Sequence, residues 1–255
     1  MIRVTRGKEP RQLAAVRQRE LKRLRALLRR NPRADVQVGN TYRVAARGLW
    51  RSQKMKCCYC EHPDQLDLND VEHFRPKSRY FWLAWTWENL LFACGPCNRM
   101  HKGVRFPLAP GSKVLARWRQ PPGKEQPLLI DPAAEDPLQH LCFEPYMVRG
   151  NQYWRPNPLN GSPRGFETIQ VLGLDRQGLI DLYRKHVEEV VRPKVDELYR
   201  LMRTSDRNGV QRAWRALTRE LLARERPFTA LSHDALDYLV PPSERQAWGL
   251  RLRAP

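Results

Sequence analysis

Two cysteine pairs, Cys57-x2-Cys60 and Cys94-x2-Cys97, lie 33 residues apart, and the segment between them carries Glu72-His73 and Asn89, with Asn98 directly after the second pair. Each Cys-x2-Cys pair sits on a tight turn that aims two thiolates at one ion, and two pairs close a tetrahedral four-sulfur shell of the kind zinc takes. A closed shell leaves no position for water, so the expected Zn2+ is structural. The spacing exceeds the roughly 15–20 residues of a simple zinc ribbon, which means that something else is built between the pairs. His73 brings a group that titrates near neutrality. Cys58 and Cys142 fall outside the two-residue spacing and are expected to be packed thiols; Trp82, Trp85 and Trp87 are expected in the core, and His62 and His101 at the surface.

The composition limits what such a segment can serve. A chain of 255 residues with 41% hydrophobic content can build one large domain or two small ones. Its 46 Lys and Arg against 27 Asp and Glu give a formal net charge of +19, an excess that points to polyanions and to nucleic acid first. No apolar run approaches the roughly 18 residues that span a bilayer, and the start at Met1 has neither an apolar signal core nor a small-residue cleavage site. A cytoplasmic protein without membrane contact is expected, whose six cysteines serve as metal ligands or packed thiols rather than disulfides.

Charge divides the chain. Residues 1–56 carry net +14, residues 57–108 are neutral, and residues 109–255 hold the remaining +5. These bounds define a basic helical N-terminal arm (1–56), a core with the four-cysteine zinc site (57–108), and an irregular or hairpin segment leading into a helical C-terminal region (109–255). In the arm, Leu13, Val16, Leu21, Leu24, Leu27 and Leu28 recur at roughly helical spacing with Arg and Lys between them, predicting a helix that ends near Asn31-Pro32. A short helix is expected over Tyr42 to Lys54, a strand over "DVEHFRPKS" ending at Pro76, a loop holding Asn89, and a helix starting at Pro96. Gly150-Asn151 signals a hairpin turn. Farther on, Ile180, Tyr183, Val187, Val191, Val195, Leu198 and Met202 follow three- and four-residue steps with a kink at Pro193, and Val210, Trp214, Leu217 and Leu221 continue the pattern.

The order Glu72-His73, Asn89, Asn98 between two Cys-x2-Cys pairs resembles a zinc-stapled HNH, or ββα-metal, endonuclease. The fold class this implies is α+β, a ββα-metal core flanked by the basic arm and the helical C-terminal region. By that resemblance His73 is the general base, Glu72 and the Asn98 side-chain carbonyl hold one catalytic divalent cation, Mg2+ or Mn2+, and Asn89 orients the His73 ring. Histidine suits a base that must be unprotonated near neutral pH, and a hard cation suits the charge that develops on a phosphodiester. Lys102, four residues past Asn98, together with Arg99, Arg75 and Lys77, is expected to contact phosphate. Glu72 can equally pair with Arg75 or Lys77, and Asn98 can cap the helix that begins nearby.

The wider phrases "KCCYCE", "VEHFRPKS", "WLAWTWENLLFACGPCNRMHKG", "LLIDP" and "ETIQVLGLDR" are similar to the HNH subunits of Septu-type anti-phage systems, the PtuB-like proteins, including retron-associated members. What the resemblance implies is a bacterial defence nuclease, acting on nucleic acid and on double-stranded DNA first, beside an ATPase subunit of the PtuA-like kind. The apolar stripes of the C-terminal helices are expected to form the docking surface for that ATPase. A zinc-stapled module that binds nucleic acid without cutting it is the alternative.

Overall fold

The computed structural model describes residues 1–66 and 69–255. The chain is mixed helix and small sheet, and it divides into two compact units. One comprises Arg3–Glu135 with Val171–Gly173, and the other comprises Met1–Ile2, Asp136–Gln170 and Leu174–Pro255.

The first unit opens with α1 (Arg11–Arg30), which ends at Asn31 as its leucine spacing requires. Leu13, Val16 and Leu24 are buried while most of the basic side chains between them stay exposed. Full burial of each leucine stabilises by about 1.5–3 kcal/mol. The basic segment is therefore part of this unit's core. Tryptophans tie the same segment down further: Trp87 Nε1 donates to the Gly7 carbonyl at 3.0 Å and Trp85 Nε1 to Thr41 Oγ1 at 2.8 Å. Arg6 Nε donates to the Leu90 carbonyl at 2.9 Å while its guanidinium pairs with Asp131 at 2.8 Å. Trp82, Trp85 and Trp87 are all buried, as expected. The segment expected to be one helix over Tyr42–Lys54 is a 3-10 turn, Thr41–Ala45, running into a shorter α2, Ala46–Ser52.

The centre of this unit is an antiparallel pair, β1 (Asp70–His73) and β2 (Leu90–Ala93), in the register Asp70 to Ala93 and His73 to Leu90. A π-helical segment, Pro96–Lys102, follows directly. β2 is wholly buried, so its second edge must find partners away from water. Gln53 supplies them. Its side-chain Nε2 donates to the Phe92 carbonyl at 2.9 Å and its Oε1 accepts from Phe92 N–H at 3.0 Å, so one amide replaces a strand neighbour.

The second unit packs helices on a hairpin. β3 (Leu141–Val148) and β4 (Asn151–Pro158) are joined by Arg149-Gly150, both at positive φ (48° and 81°), so the turn lies one residue earlier than Gly150-Asn151. Two-residue loops with both centres at positive φ match strand twist. Around it stand α3 (Pro163–Leu172), α4 (Gln177–His186), α5 (Arg192–Met202), α6 (Arg207–Leu221), α7 (Thr229–Leu239) and α8 (Pro242–Trp248). The kink expected at Pro193 is a π-helical turn, Val187–Val191, between α4 and α5, which accommodates the missing N–H and the bulk of the proline ring. The apolar stripes do not form an outward docking surface. Ile180, Tyr183, Val191, Val195, Leu198, Val210 and Trp214 are all buried within the unit, with Tyr183 set between Phe143 at 5.0 Å and Phe228 at 5.3 Å.

Replacing Gln53 by Ala strands the Phe92 N–H in the core. The expected cost is about 1–3 kcal/mol, read as a lower urea midpoint with an unchanged slope.

Candidate functional site

The two cysteine pairs meet. Cys57, Cys60, Cys94 and Cys97 are buried, with all four Sγ atoms within 4.8 Å of one another and Cys60 and Cys94 at 3.8 Å. Four sulfurs bonded at about 2.3 Å to a tetrahedral centre stand about 3.8 Å apart, so the donor set and its spacing fit a metal ion such as zinc. Local structure makes this possible. The first knuckle turns back through Glu61 at φ 60°, with Cys57 N–H donating to the His62 carbonyl at 3.0 Å, and Cys58 N–H fastens it to the Phe92 carbonyl of β2 at 3.0 Å. The second runs into the π-helical segment, where Asn98 N–H donates to the Cys94 carbonyl at 3.0 Å. Burial opposes ionisation of Cys57, but hydrogen bonds from Cys58, Cys60, Cys94 and Cys97 bring its thiol well below the usual range, while that same thiolate holds Cys60 and Cys97 up. Cys58 is buried outside the cluster and Cys142 is half-buried; burial raises both thiols, as expected of packed cysteines.

Beside β1 lies a recess of about 320 Å³ lined by His73, Asp70, Asn98, Arg99, Lys77 and Tyr42, among others. His73, at the end of β1, is 7% exposed. Its Nε2 lies 3.0 Å from the Ala84 carbonyl, which can only accept, so Nε2 carries the hydrogen and Nδ1 keeps its lone pair. Tyr42 meets the imidazole edge to face at 4.5 Å and fixes the ring plane. Burial first, then Lys77 and Lys102, push the His73 pKa down to about 4 against the opposing pull of the Ala84 bond. The imidazole is neutral at pH 7.

Asn89 is buried but does not hold the His73 ring. Its Oδ1 accepts from Arg75 N–H at 2.8 Å, and its Nδ2 donates to the Arg75 carbonyl at 3.1 Å and to the Leu83 carbonyl at 3.2 Å. It clamps the backbone that leaves β1, and the ring is oriented by Ala84 and Tyr42 instead.

The charged residues sort differently from the expectation. Lys102 is 1% exposed and out of reach of a phosphate: its Nζ pairs with Glu72 Oε1 at 2.8 Å and donates to the His73 carbonyl at 2.9 Å. Glu72, 2% exposed at the base of the recess, also accepts from Tyr59 Oη at 3.2 Å. Burial raises its pKa, and Lys102, Tyr59 and the His73 N–H pull it back. Arg75 is likewise turned inward, pairing through Nε with the fully buried Glu125 at 2.7 Å. Lys77 lines the recess, bonded to Tyr42 Oη at 3.1 Å with its ammonium over the Tyr42 ring at 4.8 Å, and Arg99 is 66% exposed.

Asp70 was missed. Its carboxylate, 24% exposed, accepts from Asn98 Nδ2 at 3.2 Å and pairs with Arg99 Nε at 2.9 Å. The signal was legible: strand alternation puts residues two apart on one face, so Asp70 shares the face of Glu72. Tyr42 carried no such signal, because it reaches His73 from a turn 31 residues away.

A closed cluster of four thiols able to hold a metal ion thus accompanies a separate polar cleft of imidazole, amide and carboxylate groups. Over 157 residues, 56% of this chain, the sequence is 32% identical to the Septu protein PtuB of Bacillus mycoides (strain KBAB4). That stretch covers 50% of that protein, so the chain spans about half the length of the relative it matches. No protein-family model and no solved structure matches the chain. Among the described residues no helix is long and apolar enough to cross a membrane.

Lys102→Met tests the inward role of that lysine. Leaving Glu72 buried without its partner is expected to cost about 3–5 kcal/mol in urea unfolding, and Glu72→Leu in the same chain should recover most of the loss. A phosphate contact would instead weaken nucleic-acid binding with no change in stability.

Proposed function

We propose that this chain is a divalent-cation-dependent HNH-type endonuclease of a PtuB-like anti-phage defence system, with double-stranded DNA as its first substrate and zinc in the four-thiol cluster. The observation that carries the reading is the tautomer of His73, a residue that lines the recess with Asp70 and Asn98: the Ala84 carbonyl claims Nε2 and leaves Nδ1 its lone pair. An activated water forms the new bond to phosphorus, the bond to the 3′ oxygen breaks, and the water's proton passes to His73 Nδ1. A phosphodiester in the recess brings negative charge that raises the His73 pKa toward the working range of a base.

Asn98 Oδ1 and a carboxylate of the Asp70 and Glu72 pair are the residues that would hold the catalytic Mg2+ or Mn2+. Such an ion supplies positive charge to the pentacovalent state and to the leaving oxygen. Asp70 fits better than Glu72, because it is partly open to solvent and already touches Asn98, whereas Glu72 neutralises Lys102. Lys77, Arg43 and Arg99 line the recess as phosphate contacts, and the exposed cations of α1 add sequence-independent ones. Likeness to the Septu protein PtuB supports action beside an ATPase subunit of the PtuA-like kind.

The test is plasmid nicking with and without Mg2+ or Mn2+, alone and with the ATPase co-expressed. His73→Ala should lower the rate about 10²–10⁴-fold while leaving the melting temperature and DNA affinity in place. Asp70→Asn should raise the metal concentration needed for half-maximal rate, more than Glu72→Gln does. DNA binding without any metal-dependent nicking would leave a non-catalytic zinc-stapled binding module.

A further inference from the structure

A recess in the second unit lies far along the sequence from His73, between α6 and the segment that follows α8, and measures about 700 Å³. Five arginines line it, Arg215, Arg219, Arg224, Arg251 and Arg253, and no Asp or Glu does. Arg215 and Arg219 are four residues apart on α6 and so share one face. The segment that brings Arg251 and Arg253 to them is held by side-chain bonds from the same helix. The buried Trp214 donates Nε1–H to the Arg251 carbonyl at 2.9 Å, and Gln211 Nε2 donates to the Trp248 carbonyl at 3.0 Å.

Two acidic neighbours, Glu220 and Asp206, are committed elsewhere. Glu220, next to Arg219, pairs with Lys194 at 2.8 Å and with Arg226 at 3.5 Å, and Lys194 holds its pKa below the usual carboxylate range. Asp206 caps α6 and lies 3.9 Å from Arg212. Among the described residues none of the five lining arginines pairs with an Asp or Glu. Five like charges lining one recess repel one another, and clustered anionic oxygens relieve that repulsion through charge-assisted, bidentate bonds that guanidinium makes well. The volume is that of a small-molecule pocket rather than of a polymer track, and Leu222, Ala223 and Leu250 give it an apolar portion.

We propose that this recess is a binding site for a phosphate chain, the triphosphate moiety of a nucleotide, independent of the cleft at His73. The experiment is isothermal titration of the full chain, free of divalent metal, with sodium triphosphate, with ATP and with a single-stranded oligonucleotide. Triphosphate and ATP are expected to bind at one equivalent. The exposed pair Arg219→Gln and Arg251→Gln, made together, should weaken both at least tenfold with unchanged thermal unfolding. Arg19→Gln with Arg29→Gln on α1 and His73→Ala should leave both affinities unchanged, which separates a built site from the general positive charge of the chain. Absence of triphosphate binding at millimolar concentration, or equal weakening by the α1 pair, overturns the proposal. So does an oligonucleotide that alone loses affinity in the Arg219 and Arg251 variant, because the arginines would then serve a polynucleotide backbone.

Discussion

Four thiols brought to one point fix where β2 begins and ends in space, and the recess depends on that placement. The first knuckle is bonded to β2 through Cys58 and Phe92, and the second continues from β2 into the segment that carries Asn98 and Lys102. Four-residue strands cannot hold such an arrangement alone, since a two-stranded ribbon is marginal in water. Closing residues 57–60 onto residues 94–97 removes much of the chain entropy that the ribbon would otherwise have to offset. Because every sulfur of the cluster is turned inward, the staple takes no part in the recess, and the proposed chemistry falls to His73 and its neighbours.

Around that frame, charge is buried in pairs. Glu72 with Lys102, Arg75 with Glu125 and Lys56 with Glu61 all lie within the first unit at low exposure. Such pairs add little net stability over apolar groups of the same size, but removing one partner is costly. Their effect here is geometric. Lys102 spans from the π-helical segment to both Glu72 and the His73 carbonyl, and so sets the distance between the helix that carries Asn98 and the strand that carries His73. Asn89 and Tyr42 complete the same task from the loop and from the turn before α2.

The cysteine cluster was legible because ligand spacing is local chemistry, and α1 and the C-terminal helices were legible because apolar periodicity reports a buried face. Three kinds of feature were not. Lys102 and Arg75 read as phosphate contacts because a cation near a site is normally solvated, and nothing local says that Glu72 and Glu125 will meet them in the core. The C-terminal stripes read as a docking face because periodicity gives the side that is covered and not what covers it; here β3, β4 and neighbouring helices do. Asn89 was expected to hold the His73 ring, but its amide serves backbone groups whose positions exist only after the loop has folded.

X-ray absorption at the zinc K-edge of the purified full chain tests most directly the claim that a closed sulfur shell frames a separate catalytic cleft. The account predicts one zinc with four sulfur neighbours at about 2.3 Å and no nitrogen or oxygen neighbour, unchanged when Mg2+ and DNA are added. A mixed sulfur and oxygen shell, or a spectrum that shifts on adding DNA, would contradict it by placing the metal in the cleft itself.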